Sequence, residues 1–184
     1  MDFKKIFLIL FSILSPLVLV LLSYHAVIFI TPLSPVQEQV FDYLSQKTSF
    51  SSPITTVEIS HLDDVRSVMI FLDTLLYFSL LIVILIITYY RQDKEHISKL
   101  FQFGGITTLC FFVIMVLGIL LNFEQTFTLF HQIFFPQGNW QFPADSFLIQ
   151  TFSIDFFQSL GLKIGITALV FSLVSIFLAR YFLK

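Results

Sequence analysis

Four long apolar stretches, each with few or no charged residues, dominate the pattern of hydrophobic and polar positions along this chain of 184 residues. A helix needs about 20 apolar residues to cross the hydrocarbon core of a bilayer, and each stretch is close to that length or longer. None of them shows the apolar–polar alternation of a β-barrel strand. The pattern therefore predicts four transmembrane helices, at residues 6–30, 68–90, 100–121 and 160–178.

The two longer connections, residues 31–67 and 122–159, are mixed in polarity and are expected to form a small cap on one side of the membrane. The alternating, β-branched segment 54–59 is typical of a short strand, and residues 140–142 alternate as its candidate partner. We therefore predict an all-α membrane protein, a single membrane domain over residues 1–184, whose cap contains short β-strands.

Two capping-box patterns compete for the start of the second predicted helix. Ser60 followed by Asp63 would place His61 at the first helical position, whereas Thr55 followed by Glu58 would begin the helix earlier.

No helix breaker follows the third apolar stretch until Pro136, so we expect its helix to extend beyond the membrane and to carry His131. Within this stretch, Gly104 and Gly105 are small enough to allow a close helix contact.

Lysine and arginine residues lie mainly before the first stretch, between the second and third, and at the end of the fourth. Such residues mark the cytoplasmic side, and the two cap segments contain only Lys47 and Arg66 as cations. The termini are therefore predicted to be cytoplasmic and the cap extracellular.

The composition narrows the classes of function. The chain is 57% hydrophobic, has a mean hydropathy of +0.90 and carries a net charge of −2, so it has no basic surface for nucleic acid. Cys110 is the only cysteine, which excludes an intramolecular disulfide and a CxxC motif. We expect membrane lipids as partners and no cofactor; the sequence carries no signal of an oligomeric state.

Ionisable residues concentrate just before the second stretch, where Glu58, His61, Asp64 and Arg66 lie within nine residues. His61 lies nine residues outside the estimated membrane boundary, and His131 lies ten residues beyond the third stretch. At 1.5 Å per helical residue both imidazoles would stand roughly 14 Å above the hydrocarbon. We therefore predict that these two histidines share one site.

Two neutral imidazoles are suited to general acid–base catalysis. Glu58 or Asp64 could orient a ring, and Arg66 or the amides at a helix start could stabilise an oxyanion. No serine or cysteine lies in a nucleophile motif, so the substrate would supply its own nucleophile. A metal site of His61, Asp64 and His131, and a purely structural or partner-binding membrane protein, remain alternatives.

Two charged residues fall inside predicted helices, namely Asp73 in the second and Lys163 in the fourth, at a similar depth. Charges within a bilayer are costly unless they are paired, so a structural ion pair between Asp73 and Lys163 is expected. His25, near the outer end of the first helix, is interpreted as an interfacial aromatic residue.

Two motifs resemble those of a known family. The first is Glu58-x-x-His61-x-x-Asp64-Val65, and the second is Phe130-His131, Gly138-Asn139-Trp140-x-Phe142, Asp145-x-x-Leu148-Ile149 and Phe156-Phe157. Together with the four-span layout they resemble the lipoprotein intramolecular transacylases (Lit) of Gram-positive bacteria. Ser153 departs from the expected proline before the Phe-Phe pair. Trp140 and Asp145 are assigned to substrate binding, and Asp145 is also the expected cap of a short segment, 146–152.

The resemblance implies an acyltransferase of the bacterial cell membrane whose substrate is a diacylated lipoprotein. Such an enzyme moves the sn-2 acyl chain of the diacylglyceryl group onto the α-amino group of the substrate's N-terminal cysteine. One of the two histidines, His61 or His131, would carry the amine proton to the glycerol oxygen, and the other would orient or polarise the ester. A hydrolase that releases the fatty acid, metal-dependent or not, is the alternative activity.

Overall fold

The computed structural model describes residues 3–45 and 54–182, which form seven α-helices. In chain order these are α1 (Phe3–Ile30), α2 (Pro35–Leu44), α3 (Thr56–Tyr90), α4 (Lys94–Leu121), α5 (Phe123–Phe134), α6 (Phe147–Thr151) and α7 (Ile154–Phe182). Four of them, α1, α3, α4 and α7, are long and apolar enough to cross a membrane, and they contain the four predicted stretches. The helical membrane architecture is therefore confirmed.

Helix α4 is the centre of the bundle and packs against α7 and α1, while α3 packs chiefly against α1. A Cβ atom added at Gly105 would lie 2.6 Å from Cγ1 of Ile176 and 2.9 Å from the carbonyl oxygen of Ser172. One added at Gly104 would collide with the side chains of Phe11 and Ser15. The predicted close contact at the two glycines is confirmed, and it joins α4 to both neighbours.

Hydroxyl groups add hydrogen bonds between the same helices. Oγ of Ser98 donates to the carbonyl oxygen of Ala179 at 2.8 Å, and Oγ1 of Thr107 donates to that of Ser12 at 2.7 Å. In an apolar environment such hydroxyls need a partner, and each bond contributes on the order of 1 kcal/mol.

The start of α3 contradicts the predicted strand at residues 54–59. Thr55 is the N-cap: its hydroxyl accepts from the amide of Glu58, whose carboxylate accepts from the amide of Thr55. Glu58, His61 and Leu62 are buried with helical spacing, so packing outweighs the β-branched composition. The earlier of the two capping boxes is the one that begins the helix.

Residues 140–142 are not a strand either, and no strand occurs in residues 3–45 and 54–182. The predicted β-strands of the cap are therefore unsupported. The cap consists instead of α2, α5, α6 and the start of α3. At 35 residues, α3 is about 52 Å long, well beyond the ~30 Å of hydrocarbon, so its first turns project outside the membrane.

Asn122 ends α4, where an uninterrupted helix was predicted to carry His131. Its backbone φ of −159° leaves the helical region, and its side-chain oxygen caps α5 by accepting from the amide of Gln125 at 3.0 Å. A new helix direction therefore begins at Phe123. The helix that carries His131 is a separate element, free to turn towards the start of α3.

An apolar cluster holds the cap together. Val40 and Leu44 of α2, Leu62 of α3 and Leu148 of α6 are buried against one another, with partly buried aromatic residues around them. This cluster places the first turns of α3 beneath α2 and α6.

The close packing at Gly105 generates a stability prediction. Gly105→Ala is expected to destabilise the bundle by about 1–3 kcal/mol, because the new methyl meets backbone atoms that cannot rotate away. Thermal unfolding in detergent measures this as a lower Tm. Gly118→Ala is the control, since its methyl would meet only side-chain atoms of Thr126, the nearest at 3.2 Å. Equal Tm values for the two variants would contradict the packing argument.

Candidate active site

His61 of α3 and His131 of α5 lie face to face in the cap. Their ring centroids are 6.1 Å apart and their planes differ by 27°. Each residue is only 8% exposed. The structure thus brings together the two histidines that the sequence analysis paired, although they lie 70 residues apart in the chain.

Aromatic side chains surround the pair. His61 contacts the rings of Phe135 and Phe142 at 4.8 and 5.6 Å between centroids. The nearest aromatic neighbours of His131 are Phe127 at 4.0 Å and Trp140 at 4.9 Å. This apolar shell removes water from most of both imidazoles.

Burial keeps both rings neutral. Loss of hydration, together with the neighbouring His131 ring, lowers the pKa of His61 to about 4, although Asp64 and Asn139 oppose the shift. Burial also lowers the pKa of His131, against the effect of its hydrogen bond to Phe127. At neutral pH both imidazoles are therefore ready to accept a proton.

The backbone sets the tautomer of His131. Its Nδ1 lies 2.8 Å from the carbonyl oxygen of Phe127, one helical turn earlier. A carbonyl oxygen only accepts, so in the neutral ring Nδ1 carries the hydrogen and Nε2 carries the lone pair. His131 accordingly presents Nε2 as its basic nitrogen.

Asp64 does not contact a histidine through a hydrogen bond in the described structure. Its Oδ2 accepts from Nδ2 of Asn139 at 2.6 Å and from Nε2 of Gln137 at 2.7 Å. Both amides belong to the turn after α5, where Gly138 has a φ of 79°, a region that favours glycine. Asp64 thus fastens this turn to α3, one helical turn after His61.

Glu58 is 1% exposed and also has a different role from the one predicted. One carboxylate oxygen accepts from the amide of Leu148 at 3.0 Å, and the other accepts from the amide and the hydroxyl of Thr55. Burial alone would raise its pKa, but the amide donors of Leu148 and Thr55 outweigh burial and lower the pKa. Glu58 joins the starts of α3 and α6 and orients no ring.

Arg66 is turned away from the histidines, towards α2. One guanidinium nitrogen donates to the carbonyl oxygen of Tyr43 at 3.0 Å, another lies 3.1 Å from Asp63, and the group stacks 4.0 Å from the centre of the Tyr43 ring. These contacts stabilise the packing of α2 on α3. The structure therefore does not place Arg66 as an oxyanion donor.

The expected pairing of Asp73 with Lys163 is wrong. Asp73 on α3 lies 2.9 Å from Nε2 of His25 on α1, because α3 packs chiefly on α1. Lys163 lies on α7 in a groove with Asp155 and Ser159. The sequence does not show which helices are adjacent, and the expected pairing depended on that adjacency.

The two residues assigned to substrate binding differ in position. Trp140 is partly buried and contacts His131, whereas Asp145 is exposed in the turn before α6. The cap of that helix is Ser146, whose hydroxyl accepts from the amide of Ile149, so the predicted capping role of Asp145 is wrong.

Sequence reasoning assigned no role to Phe127, Phe135, Gln137 or Asn139. The only available signal for Phe127 was its i−4 spacing from His131, which is common in any helix. Gln137 and Asn139 flank Gly138, and a turn there was predictable, but its attachment to Asp64 was not.

Taken together, four membrane-crossing helices and a buried pair of neutral imidazoles define a membrane-integral protein equipped for acid–base chemistry. Residues 31–157 match the family model of the lipoprotein intramolecular transacylase Lit. The match covers more than half of the chain. The chain therefore belongs to this family and is an intramolecular lipoprotein transacylase, a multi-pass membrane acyltransferase.

Solved structures give a consistent fold. The chain resembles the lipoprotein intramolecular transacylase Lit from Bacillus cereus with a TM-score of 0.88 and 20% identity, covering 99% of this chain and 96% of that one. A variant of the same protein with one histidine replaced by alanine gives a TM-score of 0.83 at 20% identity, over 99% and 94% of the two chains. At this identity the similarity establishes the fold. No curated protein sequence matches the chain.

The contacts of Glu58 generate a prediction about the cap. Glu58→Ala should destabilise the cap by about 1–3 kcal/mol, since the buried amide of Leu148 loses its acceptor. Hydrogen–deuterium exchange should then accelerate across α6. Because the pKa of this carboxyl is lowered, its contribution is present above the ordinary value of 4.5 and is lost as the pH falls through the lower folded pKa.

Glu95→Ala is the matched control, because Glu95 is exposed and its carboxylate pairs with Lys99 one turn away, far from α6 in the chain. It should leave exchange in α6 unchanged. Unaltered exchange at Leu148 in Glu58→Ala would refute the proposed link between the two helix starts.

Proposed function

We propose that His61 and His131 are the catalytic pair of this transacylase. The reaction would move the sn-2 acyl chain of a diacylglyceryl lipoprotein onto the α-amino group of the substrate's N-terminal cysteine. The observation that carries the proposal is the face-to-face packing of two buried imidazoles, both with lowered pKa values. Such a pair can accept protons, which suits a substrate that brings its own amine as the nucleophile.

Proton accounting explains why two basic nitrogens are useful. An α-amino group has an ordinary pKa of about 7.7–8.0 and is largely an ammonium ion at pH 7. To become an amide it must lose two protons. One passes to the glycerol oxygen that leaves the ester, and the other passes to solvent. A pair of neutral imidazoles provides an acceptor for each.

We assign the transferred proton to His131, whose Nε2 carries the lone pair. As the amine nitrogen attacks the ester carbonyl, a C–N bond forms, the carbonyl oxygen becomes an oxyanion, and Nε2 of His131 accepts the proton. Collapse of this intermediate breaks the bond from the carbonyl carbon to the glycerol oxygen, which takes the proton from His131. Before this attack, His61 accepts the first proton, which makes the amine nucleophilic, and releases it to solvent, so that the two imidazoles are never charged together.

The positive charge that appears on an imidazole during the reaction lies next to the developing oxyanion. In a site shielded from water such a charge stabilises the intermediate strongly. The imidazolium would therefore stabilise the oxyanion in place of Arg66, whose guanidinium group contacts Tyr43 and Asp63.

Because the transfer is intramolecular, proximity of the reacting groups also accelerates the reaction. Amine and ester belong to one substrate molecule, and holding them together can lower a barrier by about 7–11 kcal/mol. The acyl chains would remain among the helices while the lipoprotein extends from the cap. The distribution of lysine and arginine residues supports an extracellular cap with both termini in the cytoplasm of the bacterial cell.

A metal-dependent hydrolase receives less support from the geometry. The carboxylate of Asp64 is bound by the amides of Gln137 and Asn139. No group of three or more His, Cys, Asp or Glu side chains in the described part of the chain is arranged to hold a metal ion.

Substitution of each histidine tests the proposal. His61→Ala and His131→Ala should each lower kcat by about 10²–10⁴-fold, the usual contribution of general acid–base catalysis. Tandem mass spectrometry of a diacyl lipopeptide incubated with the purified enzyme would detect the acyl group on nitrogen at unchanged total mass. His25→Gln, at a histidine paired with Asp73 on the outer part of α1, is the control.

Full activity in either alanine variant would disprove the catalytic assignment. Loss of the acyl mass from the substrate would identify a hydrolase.

Titration of the site gives an independent prediction. The ¹⁵N signals of His61 and His131 in detergent should titrate with midpoints below the ordinary imidazole pKa of 6.5. Unfolding exposes both rings and restores their ordinary pKa of 6.5, so the unfolded chain binds more protons below that pH. Cap stability should therefore decrease as the pH falls from 6.5 towards 4. A midpoint at or above 6.5 for either ring would contradict the burial argument.

A further inference from the structure

The side-chain amide of Asn139 lies between Asp64 and His61. Its nitrogen donates to Oδ2 of Asp64 at 2.6 Å and lies 3.4 Å from Oγ of Ser60. Oxygen and nitrogen of an amide are distinguished by their partners, and a carboxylate only accepts. The NH₂ group must therefore face Asp64, and the carbonyl oxygen Oδ1 is directed to the other side.

Two buried polar atoms remain without a partner at this place, namely Oδ1 of Asn139 and Nδ1 of His61. The Asn139 side chain nevertheless interacts with His61 and raises its pKa, partly offsetting the effect of burial. A neighbour raises the pKa of an imidazole when it carries a negative charge or accepts the N–H, and the neutral amide of Asn139 can act only as an acceptor.

Energy favours this hydrogen bond. A buried polar atom without a partner costs about 1–3 kcal/mol, and one bond from Nδ1–H to Oδ1 would satisfy both atoms. The opposite tautomer, with the lone pair on Nδ1, would face a carbonyl oxygen and repel it. The environment therefore selects the hydrogen on Nδ1.

We infer that Asn139 is a positioning residue: its carbonyl oxygen accepts from Nδ1–H of His61 and makes Nε2 the basic nitrogen of that ring. Asp64 acts one step further away, because it holds the amide with the oxygen towards the ring. His61 then has the same tautomer as His131, whose Nδ1 is held by the carbonyl oxygen of Phe127. The inference rests on the proposed catalytic role of the two histidines.

Selective ¹⁵N labelling of histidine tests the inference directly, since the chain has only four histidines. In the wild-type enzyme at pH 7.5, where the rings are neutral, His61 should show a protonated Nδ1 and an unprotonated Nε2. The opposite pattern would overturn the inference without any variant. Asn139→Ala should shift His61 towards a mixture of tautomers and lower kcat by about 10- to 100-fold, with KM little changed.

Gln137→Ala is the matched control. It removes the other amide donor to Asp64 but leaves Asn139 beside His61, so the His61 tautomer and kcat should stay close to those of the wild type. If Asn139→Ala lowered kcat while His61 kept the wild-type tautomer, Asn139 would serve only the fold of the turn and the inference would be wrong.

An exchange of the two residues provides a rescue test. Asn139→Asp alone places two carboxylates together and should lose activity. The double variant Asp64→Asn/Asn139→Asp restores an amide–carboxylate pair in the reverse order, with a carboxylate oxygen as acceptor for His61. It should retain the Nδ1–H tautomer and raise kcat at least about tenfold above that of Asn139→Asp, but kcat should stay below the wild-type value because the carboxylate stabilises a charged His61. No recovery together with a changed tautomer would count against the inference.

The experiments distinguish failure of the catalytic pair from failure of the positioning role of Asn139. Active His61→Ala and His131→Ala variants would remove the catalytic pair and the role of Asn139 with it. Inactive histidine variants, combined with an unchanged His61 tautomer in Asn139→Ala, would overturn only the positioning role.

Discussion

The carboxylate of Glu58 is the contact on which the geometry of the cap depends. It completes the first turn of α3 through Thr55 and, with its other oxygen, holds the first turn of α6 through Leu148. His61 follows Glu58 by three residues and lies on the same buried side of the helix. One buried charge, satisfied by backbone amides, therefore decides where the helix that carries His61 begins and which element covers it. The apolar cluster around Leu62 and Leu148 reinforces the same junction.

The main effect of burying the two histidines is on their pKa values. Removing an imidazole from water lowers its pKa, and placing a second imidazole beside it lowers the pKa further, because two adjacent positive charges repel. Phe127, Phe135 and Phe142 supply the apolar surface that produces this effect around the pair. The rings remain neutral at the pH at which an amine substrate still carries its extra proton. The site therefore has capacity for the protons that amide formation releases.

The sequence predicted the helices and the meeting of the two histidines, but not the route by which they meet. Apolar length determined the spans, and counting residues placed His61 and His131 at a similar height. The path depends on Asn122, whose ability to end one helix and cap the next is a local feature that competes with a helical pattern on both sides. The segment 54–59 was misread because β-branched composition is visible in a sequence, whereas the buried face that outweighs it depends on tertiary packing. Asp73 shows the same limit. Its depth in the membrane can be estimated by counting residues, but its partner, His25, depends on which helices are in contact.

An amide, and not a carboxylate, beside His61 fits a pair of bases that must both stay neutral. A carboxylate next to an imidazole stabilises the imidazolium and raises its pKa, as in a catalytic triad. In the proposed mechanism this would favour a resting charge on His61, which would repel the proton passed to His131. In the inferred arrangement, the carbonyl oxygen of Asn139 selects the tautomer of His61 with a far smaller effect on its charge, and Asp64 holds the amide in place. The arrangement separates two tasks that a triad combines: it orients the ring and leaves its protonation to burial.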